Sequence, residues 1–129
     1  MNYTSILPWV AGTLLVSFMA YSIYSDGTKI KNSWIIPACL SLFFLMFSVT
    51  AIISEGPLGF WTEHTRNLWG NQIWFDLLLA AGIGWLLILP QAKALGMRLP
   101  LWGILIVATG CIGFTVMVSR MLYLRDNEG

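Results

Sequence analysis

Charge is scarce in this sequence. Asp, Glu, Lys and Arg together make up 10% of the 129 residues, against about 25% in ordinary soluble proteins. So few charges would leave a water-facing surface poorly hydrated and prone to associate, which excludes a soluble globular domain. The net charge is +1, so the basic field that nucleic acid requires is absent and nucleic acid is excluded as a partner. Cysteine and histidine are nearly missing too. Cys39 and Cys111 form no CxxC pair and each sits inside an apolar run, so they read as small hydrophobes rather than as a zinc or redox site. His64 is the single histidine, which leaves haem without paired imidazole ligands. Glycine patterns of the P-loop and Rossmann kinds are missing. No cofactor and no metal is expected. The first five residues, Met1-Asn2-Tyr3-Thr4-Ser5, hold no Lys or Arg, so the opening apolar run lacks a signal-peptide n-region and is expected to be retained.

What is abundant is apolar sequence, 57% of the chain. A membrane span needs about 20 mostly apolar residues, and four stretches qualify: 6–24, 34–53, 72–89 and 101–124. Lipid offers no partners for backbone N–H and C=O groups, so each stretch is expected to be a helix. Turn residues separate them: Ser25-Asp26-Gly27, then Glu55-Gly56-Pro57, then Pro90, Gly96 and Pro100. The pattern predicts an all-α fold, a four-helix transmembrane bundle running up-down-up-down, with residues 1–129 as one integral membrane domain. The segment 54–71 is long enough to carry a short interfacial helix.

Basic residues give the orientation. Lys29 and Lys31 lie in the first loop, Lys93 and Arg98 in the third. Arg66, Arg120 and Arg125 fall on the other side if all four spans cross. The positive-inside rule then makes the first and third loops cytoplasmic and puts both termini outside. Tryptophans mark the boundaries, Trp34 and Trp102 on the inner side and Trp9, Trp61, Trp69 and Trp74 on the outer, as amphipathic rings at headgroup level do. Trp85 lies deeper and is read as packing. Cys39 and Cys111 differ in expected depth by roughly 9 Å at helical rise, which predicts no disulfide between them.

Ionisable groups inside spans are costly and call for an explanation. Asp76 lies about one turn into the third span, on a stripe with Gln72, Ala80 and Gly84. Arg120 lies about one turn before the end of the fourth, on a face with Thr109 and Gly113. Small residues let helices approach closely in lipid. Both charges fall about 6 Å below the outer boundary at helical rise, so an intramembrane Asp76–Arg120 ion pair is expected. Glu55 closes the second span on a face with Ser41, Ser48 and Ala51, and the outer loop adds Glu63, His64, Arg66, Asn67 and Asn71. Glu55, His64, Asp76 and Arg120 are therefore the candidate binding residues. Their spacing matches no metal motif, and a solvated loop is the commoner explanation for such residues outside the spans.

The triplet Asp76-Leu77-Leu78, the loop Gln91-Ala92-Lys93-Ala94-Leu95-Gly96-Met97-Arg98 and the closing Leu122-Tyr123-Leu124-Arg125-Asp126 resemble a family of small bacterial four-helix membrane proteins of unassigned function. The likeness covers about the last 55 residues. It departs at Gln91, where the family tends to an acidic residue, and at Ser119-Arg120, where a proline is common. The resemblance implies this topology and a bacterial inner membrane, and no chemistry. Three functions stay open on the sequence. One is a structural or accessory subunit that packs, within the lipid bilayer, against another membrane protein or a second copy of itself. Another is a protein that binds or transforms a lipid-like or isoprenoid substrate at the outer polar cluster. The third is an oligomeric small-solute transporter.

Overall fold

The computed structural model describes residues 2–25 and 31–128, and all regular structure among them is helical. Six helices follow one another: α1 (Tyr3–Tyr24), α2 (Ile35–Glu55), α3 (Gly59–Thr65), α4 (Leu68–Ala94), α5 (Leu99–Thr109) and α6 (Cys111–Glu128). By its contacts the chain divides into two compact units, Met1–Ile30 and Lys31–Gly129, each described by itself. The expected turn residues Asp26 and Gly27, and Lys29, lie outside the described residues.

Three helices, α1, α2 and α4, are long and apolar enough to cross a membrane. Their 22, 21 and 27 residues rise about 33, 32 and 40 Å, against a hydrocarbon core of about 30 Å. In α1 the Thr13 and Ser22 hydroxyls donate to the carbonyls of Trp9 (2.8 Å) and Phe18 (2.7 Å), a local solution for hydroxyls among apolar neighbours.

The second unit begins at Lys31, with Asn32 in the left-handed region at φ 63. Gly56 ends α2, and α3 folds back against the start of α4. Asn67 caps α4, its side chain accepting the Gly70 N–H at 2.8 Å, as an N-cap should. At the far end the Gly96 N–H reaches the Lys93 carbonyl (3.0 Å) and the Met97 N–H the Ala92 carbonyl (3.1 Å). With Gly96 at φ 70 this is a Schellman motif, so Gly96 is where α4 must stop.

The expected fourth span, 101–124, is not one helix. Gly110 interrupts it with φ 64 and ψ −127, the dihedrals of the first central position of a type II′ turn, which glycine supplies without strain. In a straight helix Leu101 and Leu124 would stand about 35 Å apart; here they line one cleft with Leu105 and Arg120. The two helices are a hairpin. At its apex Thr109 Oγ1 donates to the Leu105 carbonyl (2.7 Å) and accepts the Gly113 N–H (2.9 Å). Gly113 lets the arms close, because a Cβ there would stand 2.9 Å from the Leu105 carbonyl oxygen.

The core of this unit is the returning arm. Gly113, Met117, Ser119 and Met121 of α6 are buried, and Met117 is wholly so. Helix α6 runs antiparallel to α2. Ser41 Oγ donates to the Ile112 carbonyl at 3.0 Å, Ser119 Oγ to the Trp34 carbonyl at 2.8 Å, and the Asn32 N–H to Asp126 at 3.2 Å. Trp34 and Tyr123 meet edge to face, 5.5 Å between centroids. The end of the chain therefore lies at the end of the unit that carries Lys31, not at the opposite end, which corrects the expected crossing of 101–124. Cys39 and Cys111 are both free, though the expected difference in depth is not found: Cys111 adjoins Ile112, which is level with Ser41.

Candidate functional site

The residues expected to gather at one outer mouth are distributed over both ends of the second unit. Glu55 and Asp76 are exposed, on α2 and α4, and His64 is half-buried on α3. Arg120 is elsewhere. It lines the cleft formed by Leu95, Met97 and Arg98 with α5, and its guanidinium lies 5.6 Å from the Tyr123 ring centroid, within cation–π range. Asp76 is roughly 28 Å along α4 from the Leu95 end. The ion pairs among the described residues are Glu63–Arg66 at 3.5 Å and Arg125–Asp126 at 3.8 Å. Asp76–Arg120 is not one of them. The expected match in depth held only for a helix running unbroken past Gly110.

At the α3 end the polar residues organise structure. The His64 ring stacks at a tilt on Trp74 (4.9 Å), and Phe60 and Trp61 pack on the same indole at 6.2 and 6.3 Å. The His64 carbonyl accepts Asn71 Nδ2 at 2.7 Å. Together Phe60, Trp61, His64 and Trp74 make an amphipathic aromatic group of the kind that settles at headgroup level.

Helix α4 has two contrasting halves. Towards its end Gly84 meets the Phe114 ring, Trp85 packs on Gly103 as its depth suggested, and Ala92 is fully buried. Residues 75–80 are all exposed, because the α5–α6 hairpin rises only part of the way along α4. Of the predicted stripe Gln72, Asp76, Ala80 and Gly84, only Gly84 is turned into a contact. Asp76 stands instead among Phe75, Leu79 and Ile83, which are 59, 66 and 60% exposed. On α2, Ser41 is buried and Ser48 and Ala51 are half-buried, while Phe43 and Met46 are exposed.

The α4–α5 end holds two clefts. One, about 740 Å³, is an apolar groove between Trp85, Leu89 and the α5 face, with Lys93 at its mouth. The other, about 490 Å³, combines Arg98 and Arg120 with Trp102 and the leucines of α5 and α6. Sequence reasoning missed this second grouping, since Arg98 and Arg120 were assigned to opposite sides of the membrane. The one signal for it was Gly110 in the middle of an apolar run. Compared with known proteins, the chain matches no family model, no curated protein and no solved structure.

Proposed function

We propose that this chain is a non-catalytic multi-pass protein of a bacterial inner membrane, an accessory or structural subunit that packs against a helix of another membrane protein or of a second copy. One observation carries the reading: Asp76, on a helix long enough to span, is exposed among Phe75, Leu79 and Ile83 and has no ion-pair partner among the described residues. A carboxyl in that setting is costly unless something answers it. A neighbouring helix bearing a cationic, hydroxyl or amide side chain at the same depth would satisfy it and cover the apolar face. The spread of Glu55, His64, Asp76 and Arg120 over both ends favours this over a lipid-transforming site at the outer mouth.

The topology that goes with this reading has three crossings, α1, α2 and α4, and a hairpin, α5–α6, that enters and leaves on one side. The Lys31, Lys93 and Arg98 side faces the cytoplasm. The N-terminus stays outside and the C-terminus is cytoplasmic.

The test is photo-crosslinking in intact membranes from a probe residue at position 79 or 83. A discrete adduct of higher mass, lost in Asp76→Leu, is the expected result. Labelling of lipid alone, or a product confined to the same polypeptide, would refute a partner helix.

A further inference from the structure

The cleft between the α4–α5 loop and the α5–α6 hairpin has a composition that packing alone does not require. Two guanidinium groups, Arg98 and Arg120, line it, and none of its lining residues is acidic. Neither arginine makes an ion pair among the described residues. Helix α5 begins at Leu99 without a side-chain cap, and Pro100 has no N–H to give, so the Leu99 and Leu101 N–H groups at the rim lack the i−4 acceptors of a longer helix. A helix start adds a partial positive charge to the two full ones. The remaining walls are apolar, from Leu101, Leu105 and Leu124. Trp102 lines the cleft and Tyr123 lies beneath Arg120, side chains that favour the boundary between headgroups and acyl chains.

Such a site suits a ligand that is anionic at one end and hydrocarbon at the other. We propose that this cleft binds an anionic glycerophospholipid, its phosphodiester held by Arg98 and Arg120 and its acyl chain laid on Leu101, Leu105 and Leu124. Basic pockets between membrane helices hold lipid headgroups in this way. Arginine suits the task, since its planar fork gives two parallel hydrogen bonds to phosphate oxygens. A free phosphate ion would use the arginines and leave the apolar walls in contact with water, so the lipid is the source the cleft fits. The bound lipid would seal α5 to α6 at the open end of the hairpin, opposite the Gly110 apex.

The inference rests on the membrane reading above, though not on the Asp76 partner. The test is native mass spectrometry of the full chain in detergent, titrated with phosphatidylglycerol and with phosphatidylcholine of the same acyl length. Wild type should prefer phosphatidylglycerol at least tenfold. Each cationic side chain at an anionic lipid surface contributes roughly fivefold, so Arg98→Gln with Arg120→Gln should weaken phosphatidylglycerol by about 25-fold and phosphatidylcholine, whose phosphodiester is already countered by its own choline, by much less. Arg66→Gln, at the other end of the unit, should change neither. Equal affinity of the wild type for the two lipids would overturn the proposal even if the double variant failed to fold. So would a double variant that keeps the preference. Displacement of the lipid by inorganic phosphate at equal concentration would make this a soluble-anion site and overturn the lipid. Release of the wild-type chain from membranes by alkaline carbonate would instead fell the membrane reading itself.

Discussion

Gly110→Ala tests the hairpin where it is most exposed to refutation. At φ 64 and ψ −127 a residue with a Cβ is strained by about 1–3 kcal/mol. In an unbroken helix through the same position, alanine is better than glycine by about 1 kcal/mol. The substitution therefore shifts the balance between hairpin and continuous helix by about 2–4 kcal/mol, roughly 30- to 900-fold. Against it stand the Ser41–Ile112 and Ser119–Trp34 hydrogen bonds, about 0.5–1.5 kcal/mol each, and the burial of Met117, about 1.5–3 kcal/mol. The opposing terms are of similar size, so the variant should populate both forms. A continuous helix from Leu99 to Leu124 would be about 39 Å long, enough to cross, and would carry the C-terminus to the other side. The assay is a pair of fusions at Gly129, a fluorescent protein that matures only in the cytoplasm and a phosphatase active only outside. Wild type should fluoresce without phosphatase activity. Gly110→Ala should gain phosphatase activity, and its thermal stability in detergent should fall. A wild-type C-terminus outside would refute the fold-back. So would a variant unchanged in both fusions and in stability, because the strain must appear in one or the other.

Gly113→Ala should lower stability by about 1–3 kcal/mol by overpacking, since its Cβ would stand 2.9 Å from the Leu105 carbonyl oxygen. Gly103→Ala, with 3.6 Å to Trp85, serves as the control within about 0.5 kcal/mol, and equal thermal melts would deny the close approach of the two arms. Asp76→Asn and Arg120→Gln should have additive effects on stability within about 0.3–0.5 kcal/mol, as sites without shared partners do. A coupling above about 1 kcal/mol in the double-mutant cycle would bring the two charges back together and break the hairpin assignment.

The parts of the fold that follow from local rules were readable from the sequence. Helix α2 follows from apolar length, and α3 from the room between Gly56 and Asn71. The third span is expected over 72–89 with Pro90 in the turn, whereas α4 runs Leu68–Ala94 with Pro90 inside it, so its existence was readable and its ends were not. Of the face expected to carry Ser41, Ser48, Ala51 and Glu55, the first three turn inward and Glu55 is exposed. Gly110 was not readable, because a glycine among apolar residues is equally at home as a contact point in a straight membrane helix. Once it was passed over, the error spread by arithmetic. A rise of 1.5 Å per residue converts sequence distance to depth only along one helix, so everything after residue 110 was given the wrong height. Arg120 was matched with Asp76 for that reason, and its grouping with Arg98 stayed hidden. The apolar run 101–124 also hid its own contrast: α6 carries Thr115, Ser119 and Arg120, and it forms the core of its unit without being among the helices apolar enough to span.

Charge gives the fold-back independent weight. With four crossings, the seven basic residues of the chain divide into Lys29, Lys31, Lys93 and Arg98 on one side and Arg66, Arg120 and Arg125 on the other. That is a shallow bias for a rule that operates on short loops. With the hairpin, Arg120 and Arg125 return to the end of the unit that holds Lys31, Lys93 and Arg98, and within the described residues Arg66 alone stands opposite. Arg66 is already paired with Glu63, so that end carries little net positive charge. The reversal at Gly110 thus turns a weak asymmetry into a strong one with no change of sequence. It also accounts for the length of α5. Eleven residues rise about 16 Å, about half the hydrocarbon thickness, so on the proposed topology an apex at Gly110 would lie near mid-membrane, where the Thr109 hydroxyl would serve the Leu105 carbonyl and the Gly113 N–H in place of water.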